Sequence, residues 1–317
     1  MKVILANDGI AQSGKDLLEK EGFEVIETRV AQEQLANFIN EHKIEGLLVR
    51  SATKVDKKVI DACSNLKLIG RGGVGMDNID VAYAESKGIE VFNTPEASSE
   101  SVAELVFAHL FTAVRFLHDS NRNMPLEGDS QFKFLKKSYA GGTELRGKTL
   151  GIVGFGRIGQ ATARMALSLG MQVLFTDHTI TETEIEATFF DGQSLKFKLK
   201  ADTLETVLAN SDFVSLHVPA QDRYLLGAKE IGLMKPGAGI INTSRGGVLD
   251  EVALVEALDN DHLSFAGLDV YESEPHPEIK ILMHPKISMT PHIGASTVEA
   301  QQRIGVELAQ KVIATLN

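Results

Sequence analysis

Cysteine is almost absent: Cys63 is the only one in 317 residues. An intramolecular disulfide is therefore excluded, and Cys63 is expected as a buried helix residue with no part in chemistry. Apolar residues never run to the roughly 20 positions needed to span a bilayer. The opening Met1-Lys2-Val3-Ile4-Leu5 is too short for a signal-peptide core and is expected to form a first strand, which points to the cytoplasm. Positive charge is scarce as well. With 32 Lys and Arg against 43 Asp and Glu the formal net charge is −11, which argues against nucleic acid and anionic membranes as partners. An anionic substrate would need cations gathered locally on this acidic protein. No low-complexity segment interrupts the chain, and no metal site is expected.

What is present is ordinary for a globular protein: 43% apolar and 24% charged residues, over a length sufficient for two domains with separate cores. Short strand-like runs recur at Lys2–Ala6, Glu24–Glu27, Gly46–Val49, Leu66–Ile69 and Glu90–Phe92. Helix-like stretches lie between them, for example Gln32–His42, Lys57–Ala62 and Val81–Lys87. Strands that alternate with helices imply parallel sheets covered on both faces.

A second α/β segment carries a nucleotide fingerprint. Gly154-Phe155-Gly156-Arg157-Ile158-Gly159 follows the apolar run Thr149–Val153 and opens a helical stretch, Gln160–Ser168. A further apolar run, Val173–Phe175, ends near Asp177, eighteen positions after Gly159. This is the strand, glycine turn, helix, strand and acid of a dinucleotide site. Gly154 permits the tight turn, Gly156 lets the backbone approach a pyrophosphate, and Gly159 lets helix and strand pack closely. The helix start offers amide donors to the phosphates. Asp177 would bond both ribose hydroxyls and repel a 2′-phosphate, so NAD is expected rather than NADP.

A long helix is expected after Ser98-Ser99-Glu100-Ser101, with Val102, Leu105, Val106, His109, Leu110 and Ala113 at helical spacing. Asn121–Lys137 is the densest polar stretch and is expected as a loop. Thr297-Val298-Glu299 opens a last helix, expected to return to the first domain. The expected architecture is two doubly wound parallel-sheet domains of Rossmann-like or flavodoxin-like type with a cleft between them. A substrate domain would comprise 1–98 plus 293–317, and a nucleotide domain 99–292.

Three strand ends downstream carry chemistry. Ile240-Ile241-Asn242-Thr243-Ser244-Arg245-Gly246-Gly247 puts an Arg between small residues, suited to gripping a carboxylate. Ala266-Gly267-Leu268-Asp269-Val270-Tyr271-Glu272-Ser273-Glu274-Pro275 ends a strand in a cluster of acids. Met289-Thr290-Pro291-His292-Ile293-Gly294-Ala295 places a His at another end. Chemistry on an alcohol needs a group that exchanges a proton near neutral pH, and His is suited to that. A neighbouring carboxylate would orient its ring.

These segments, with Val49–Val55, Gly70–Asn78 and Gly142–Lys148, resemble the D-isomer-specific 2-hydroxyacid dehydrogenases over nearly the whole chain, and most of all their D-3-phosphoglycerate branch. The resemblance implies NAD-dependent oxidation of D-3-phosphoglycerate, the first step of phosphorylated serine biosynthesis. It implies Arg245 on the substrate carboxylate, His292 as the proton-transferring group, and Glu274 rather than Glu272 as its partner. It puts Val74, Arg157, Ile158, Asp177, His217, Val218, Thr243, Ser244, Asp269, Gly294 and Ala295 against the cofactor. Arg50, Ser51, Arg71 and Gly73 fall where substrate anions are handled, and Lys136 and Lys137 on an arm able to reach a neighbouring subunit's site. A homodimer through the nucleotide domain, around Val102–Tyr139, is implied too. Val74 departs from the Thr of close relatives and Ser98 from their Asn. The segment Thr188–Lys200 resembles an insertion, with Leu195, Phe197 and Leu199 alternating as in an edge strand. With Asn317 the last residue, the regulatory domain of longer relatives is not expected. Other readings are a glyoxylate or hydroxypyruvate reductase and, in a different class, an NAD-sensing scaffold or corepressor. The intact Arg245, Glu274 and His292 argue against the latter.

Overall fold

The computed structural model describes residues 2–316. The chain divides into two compact units, one formed by Met1–Ser101 with Ala295–Asn317 and the other by Val102–Gly294.

In the first unit, β1 (Val3–Ala6), β2 (Glu24–Ile26), β3 (Gly46–Val49), β4 (Leu68–Arg71) and β5 (Glu90–Asn93) form a five-stranded sheet in the order β2-β1-β3-β4-β5, parallel throughout. Alternation along a strand decides which face each side chain serves. Leu5, Leu47, Val49 and Ile69 pack with Leu35, Ile39, Val59 and Ile60 on one face. Ile4, Ala6, Leu48 and Leu68 pack on the other with Ile304, Leu308 and Val312, from the final helix Val298–Leu316. Cys63 is buried just past the helix Lys57–Ala62, and burial pushes its thiol up to about 11, which keeps it inert.

In the second unit, β6 (Thr149–Val153), β7 (Gln172–Thr176), β8 (Glu182–Thr188), β9 (Ser194–Lys200), β10 (Phe213–Leu216), β11 (Ala238–Asn242), β12 (Leu263–Leu268) and β13 (Ile287–Met289) follow. Six of them make a parallel sheet in the order β13-β12-β11-β10-β6-β7. The order reverses beside β6, which pairs with β7 on one side and β10 on the other. Ligands of open α/β sheets bind at such a reversal, beyond the carboxyl ends of the strands. The helix Ser99–Val114 covers one face through Val106, Phe107 and Leu110, over Leu150, Ile152, Ile241 and Phe265. Phe155 and Phe175 stack with ring centroids 3.8 Å apart beneath the fingerprint turn, a contact worth about 0.5–1.5 kcal/mol beyond its buried area.

One expectation needs correction. The stretch 121–137 is not a loop but lies largely in two helices, Leu117–Glu127 and Phe132–Ser138. Its polar composition hides the helical pattern because most of it faces solvent, with Leu135 its one buried apolar side chain. The segment 188–200 contains the alternating edge strand expected there, β9, paired antiparallel with β8 in a hairpin. Glu184 and Glu186 lie across from Lys198 and Lys196, so opposite charges face each other. Ile185 packs beside Ala163 and Ala166 of the helix Arg157–Ser168. Among the described residues no single helix is long and apolar enough to cross a membrane.

Candidate active site

The fingerprint turn follows β6. Gly154 has φ +90°, a left-handed conformation that favours glycine, and a Cβ there would overlap the His217 carbonyl. A Cβ at Gly159 would overlap the Gly154 carbonyl, so the helix sits directly on the strand end. Gly156 is the N-cap of the helix Arg157–Ser168, brings no capping side chain, and has open space where a Cβ would stand. A pyrophosphate can therefore approach the first-turn amides.

Asp177 lies just past β7 and binds back to the turn. Its Oδ2 accepts from the Phe155 amide at 2.7 Å, and Oδ1 from the Thr179 amide, the Thr179 hydroxyl and the Ile180 amide at 2.8, 2.9 and 3.0 Å. Partial burial raises this carboxyl, but the four hydrogen bonds outweigh it and hold it at about 2. Asp177 is thus ionised and fixed, with Oδ2 open to a further donor.

His217 and Val218 follow β10. His217 Nε2 meets the Ser215 hydroxyl at 2.9 Å while Nδ1 is buried without a partner, and burial lowers the ring to about 3, keeping it neutral. The buried Thr243 hydroxyl also lacks a partner. Two orphaned polar atoms, just past the ends of β10 and β11, are what a bound dinucleotide would satisfy.

The three chemistry-bearing segments follow adjacent strands. In the sheet Asn242 pairs with Leu268, and Leu268 with Met289, so the ends of β11, β12 and β13 are level. Asn242 organises the first turn: its Oδ1 accepts from the Ser244 amide and hydroxyl at 3.0 and 2.7 Å, and its Nδ2 donates to the Arg245 carbonyl at 2.9 Å. Arg245 Nη1 donates to the Ser244 carbonyl at 2.7 Å. Gly246 lies against the next segment so closely that a Cβ would overlap the Tyr271 carbonyl.

Glu274 Oε1 accepts from the Tyr271 amide at 3.0 Å, which leaves Oε2 to meet His292 Nδ1 at 2.9 Å. Both side chains remain accessible, and with Tyr271, Pro291 and Met289 they line a cavity of about 420 Å³. Glu272 is used elsewhere. It exchanges amide–carboxylate hydrogen bonds with Glu251, at 3.0 and 2.9 Å, and accepts from the Tyr224 hydroxyl. His292 has φ +56°, unusual for a residue with a Cβ, and such a backbone costs about 1–3 kcal/mol. Buried Asp269 holds it: Oδ1 accepts from the Ile293 amide and Oδ2 from the Gly294 amide, both at 2.8 Å. Tyr271 ties the same loop down by donating its hydroxyl to the Thr290 carbonyl at 2.9 Å, and burial pushes that phenol up to about 12.

The first unit holds Arg50, Ser51, Arg71, Gly73, Val74 and Ala295. Arg50 follows β3 on a turn built by Asp8, whose carboxylate accepts from the Arg50 and Thr53 amides at 2.7 and 3.1 Å, and from the Thr53 hydroxyl at 2.8 Å. Asn78 Nδ2 binds the Arg50 and Thr53 carbonyls from the other side. Arg50 and Ser51 line a cavity of about 300 Å³ with Arg29, Asp8 and Glu27, and partial burial lowers the Arg50 guanidinium against the pull of Asp8. Arg71 ends β4, and its guanidinium lies over Gly73, where a Cβ would overlap Nη1. Val74 is partly exposed, its carbonyl bonded by Asn93 Nδ2. Lys136 and Lys137 stand exposed on the last turn of Phe132–Ser138. Asp8 and Asn78 escaped the sequence reading; a Asn-Asp-Gly turn right after the first strand was the available signal.

Residues 107–294 match the NAD-binding domain of the D-isomer-specific 2-hydroxyacid dehydrogenases. The chain belongs to that family. It is an oxidoreductase with NAD as its cofactor. It is 41% identical to hydroxypyruvate reductase of Thermotoga maritima, over 98% of this chain and 97% of that protein. It is 36% identical to D-3-phosphoglycerate dehydrogenase of Synechocystis over 98% of this chain, but spans only 54% of that longer protein. Among solved structures, the TT0316 protein of Thermus thermophilus superimposes with a TM-score of 0.83 at 31% identity, covering 100% of this chain and 97% of that one.

Proposed function

We propose that this dehydrogenase interconverts D-3-phosphoglycerate and 3-phosphohydroxypyruvate, as in phosphorylated serine biosynthesis. The observation that carries the chemistry is the 2.9 Å contact of His292 Nδ1 with Glu274 Oε2, level with the Arg245 turn. Arg245 holds the substrate carboxylate and the C2 oxygen. With Nδ1 engaged by Glu274, Nε2 takes the C2 hydroxyl proton during oxidation and returns it during reduction. Glu274 stabilises the imidazolium through Nδ1–H. NAD, when bound, supplies the hydride acceptor. The fingerprint amides would hold its pyrophosphate and Asp177 its ribose. Val74, His217, Val218, Thr243, Ser244, Gly294 and Ala295 complete the cofactor contacts. Arg50, with Ser51, Arg71 and Gly73, is assigned to the phosphate, supported by the built turn that presents it.

A second reading, hydroxypyruvate reduction without a phosphate, is favoured by the full-length Thermotoga relative and by Asp8 and Glu27, which share the Arg50 cavity. Steady-state rates with NADH on phosphohydroxypyruvate, hydroxypyruvate and glyoxylate separate the two. We expect the highest kcat/KM on phosphohydroxypyruvate; a higher value on hydroxypyruvate assigns the second reading.

We also propose a homodimer through the Val102–Tyr139 region, with Lys136 and Lys137 serving the neighbouring subunit. Large apolar side chains exposed there, Leu117, Leu126, Phe132 and Phe134, support it. Sedimentation at micromolar concentration should give twice the chain mass; a monomer would end the assignment.

A further inference from the structure

The helix Ser99–Val114 carries a buried histidine toward the strands that precede the His292 loop. His109 is buried between β12 and β13, and Gly267 of β12 makes its space: a Cβ there would come within 2.8 Å of the His109 Cβ. His109 Nδ1 lies 2.9 Å from the Ser288 hydroxyl and Nε2 lies 3.2 Å from the Thr290 hydroxyl. The Thr290 hydroxyl in turn donates to Asp269 Oδ1 at 2.6 Å, and Asp269 accepts from the Ile293 and Gly294 amides that follow His292.

The direction of this chain is determined by counting protons. The hydroxyl of Thr290 has one, spent on Asp269, so toward His109 it can only accept. Nε2 must therefore carry a hydrogen. Burial lowers the His109 ring despite Asp269, so the ring is neutral, Nδ1 is bare and Ser288 donates to it. Every donor points toward the carboxylate, from Ser288 through His109 and Thr290 to Asp269. Each bond polarises the next.

We propose that His109 is a positioning residue for the reaction: through Thr290 and Asp269 it holds the left-handed His292 loop in the geometry that places the imidazole on Glu274. This rests on His292 being the proton-transferring group. Asp269 has to grip two amides across that loop, and its angle depends on Thr290, which is oriented by His109 Nε2–H. The loop is strained, so a loosened grip lets His292 relax away. Misplacement of a reacting group by about 1 Å costs on the order of 100-fold.

The test uses purified enzyme with NADH and hydroxypyruvate as probe. His109→Phe keeps a ring but no nitrogen, and should lower kcat by about 10- to 100-fold while NADH affinity stays within about twofold. The limb of the kcat–pH profile assigned to His292 should move as well. His109→Gln restores a donor near Nε2 and should recover most of the loss, which a purely space-filling role does not predict. If His109→Phe does not fold, Thr290→Val breaks the next link and should behave the same. In a His292→Asn background, His109→Phe should lower kcat no further. Near-wild-type kcat in both His109→Phe and Thr290→Val, no rescue by Gln, or the full loss persisting in the His292→Asn background would each overturn the proposal. An unaffected kcat in His292→Asn alone would instead overturn the reading of the site and, with it, what His109 acts through.

Discussion

Two sets of strand-end turns are built by the same device and carry different side chains. In the first unit Asp8, just past β1, gathers the amides of the turn after β3 and presents Arg50. In the second, Asp269 past β12 gathers the amides of the turn after β13 and presents His292. Each carboxylate is spent on backbone amides and one threonine hydroxyl, so each is part of the scaffold rather than the reagent. The first turn displays a cation, in a cavity shared with Arg29, Asp8 and Glu27. The second displays the His292–Glu274 pair, on a strand end level with the one before Arg245. On the proposed assignment, reaction and choice of substrate are encoded separately: the second unit would carry the chemistry common to 2-hydroxy acids, and the first the charge that selects among them.

The largest effect that can break this comparison is at the reagent. His292→Asn should lower kcat on every substrate by on the order of 10² to 10⁴, the range of general acid–base help, with NAD affinity little changed by calorimetry. A loss below tenfold would remove His292 from the role. Next comes the selecting cation. Arg50→Ala should cost about 10- to 100-fold in kcat/KM on phosphohydroxypyruvate, the equivalent of one charge-assisted bond of about 1.5–3 kcal/mol. Hydroxypyruvate should be far less affected.

A smaller effect sharpens the cofactor side. Asp177→Ala removes a fixed carboxylate and should weaken NAD roughly tenfold, by loss of a charged hydrogen bond, while narrowing the preference over NADP. Wild-type enzyme that uses both cofactors equally would contradict this assignment.

The smallest effect is on acid stability. His217 is held neutral with a pKa near 3 against 6.5 unfolded. The unfolded chain therefore takes up the proton first, and this contribution is complete above pH 6.5 and lost as pH falls toward 3. His109 acts in the same direction. Asp177, at about 2 against 3.8, adds stability above 3.8 that is lost only as pH falls toward 2. Thermal melts should show Tm dropping from pH 7 to 5, less steeply in His217→Gln, with Asp177→Ala differing in slope only below pH 4. An identical slope for wild type and His217→Gln from pH 7 to 5 would refute the neutral ring.

Local signals made most of the framework legible. Gly154 and Gly159 each answer a steric demand of the fold, Gly156 leaves open space at the helix start, and Arg245, Glu274 and His292 sit where apolar runs stop. What escaped depends on partners far along the chain. Asp8 meets Arg50 from 42 positions away, and His109 meets Thr290 from 181 away. His109 even falls at the spacing of the apolar face, which hides a polar role behind a packing one. The helices of 117–138 were obscured for another reason: their apolar residues Leu126, Phe132 and Phe134 face outward, so no buried stripe betrays the period. In β8 only Ile185 and Ala187 mark a buried side, too few beside its Glu and Thr residues to read as a strand.

The central claim, that chemistry and selection reside in different turns, is tested most directly by one two-by-two comparison. The kcat/KM of His292→Asn and Arg50→Ala, each on phosphohydroxypyruvate and on hydroxypyruvate with NADH, gives four ratios to wild type. The predicted result is a similar loss on both substrates for His292→Asn and a loss confined to phosphohydroxypyruvate for Arg50→Ala. Equal losses on both substrates for Arg50→Ala would contradict the claim, because Arg50 would then serve the fold or the carboxylate.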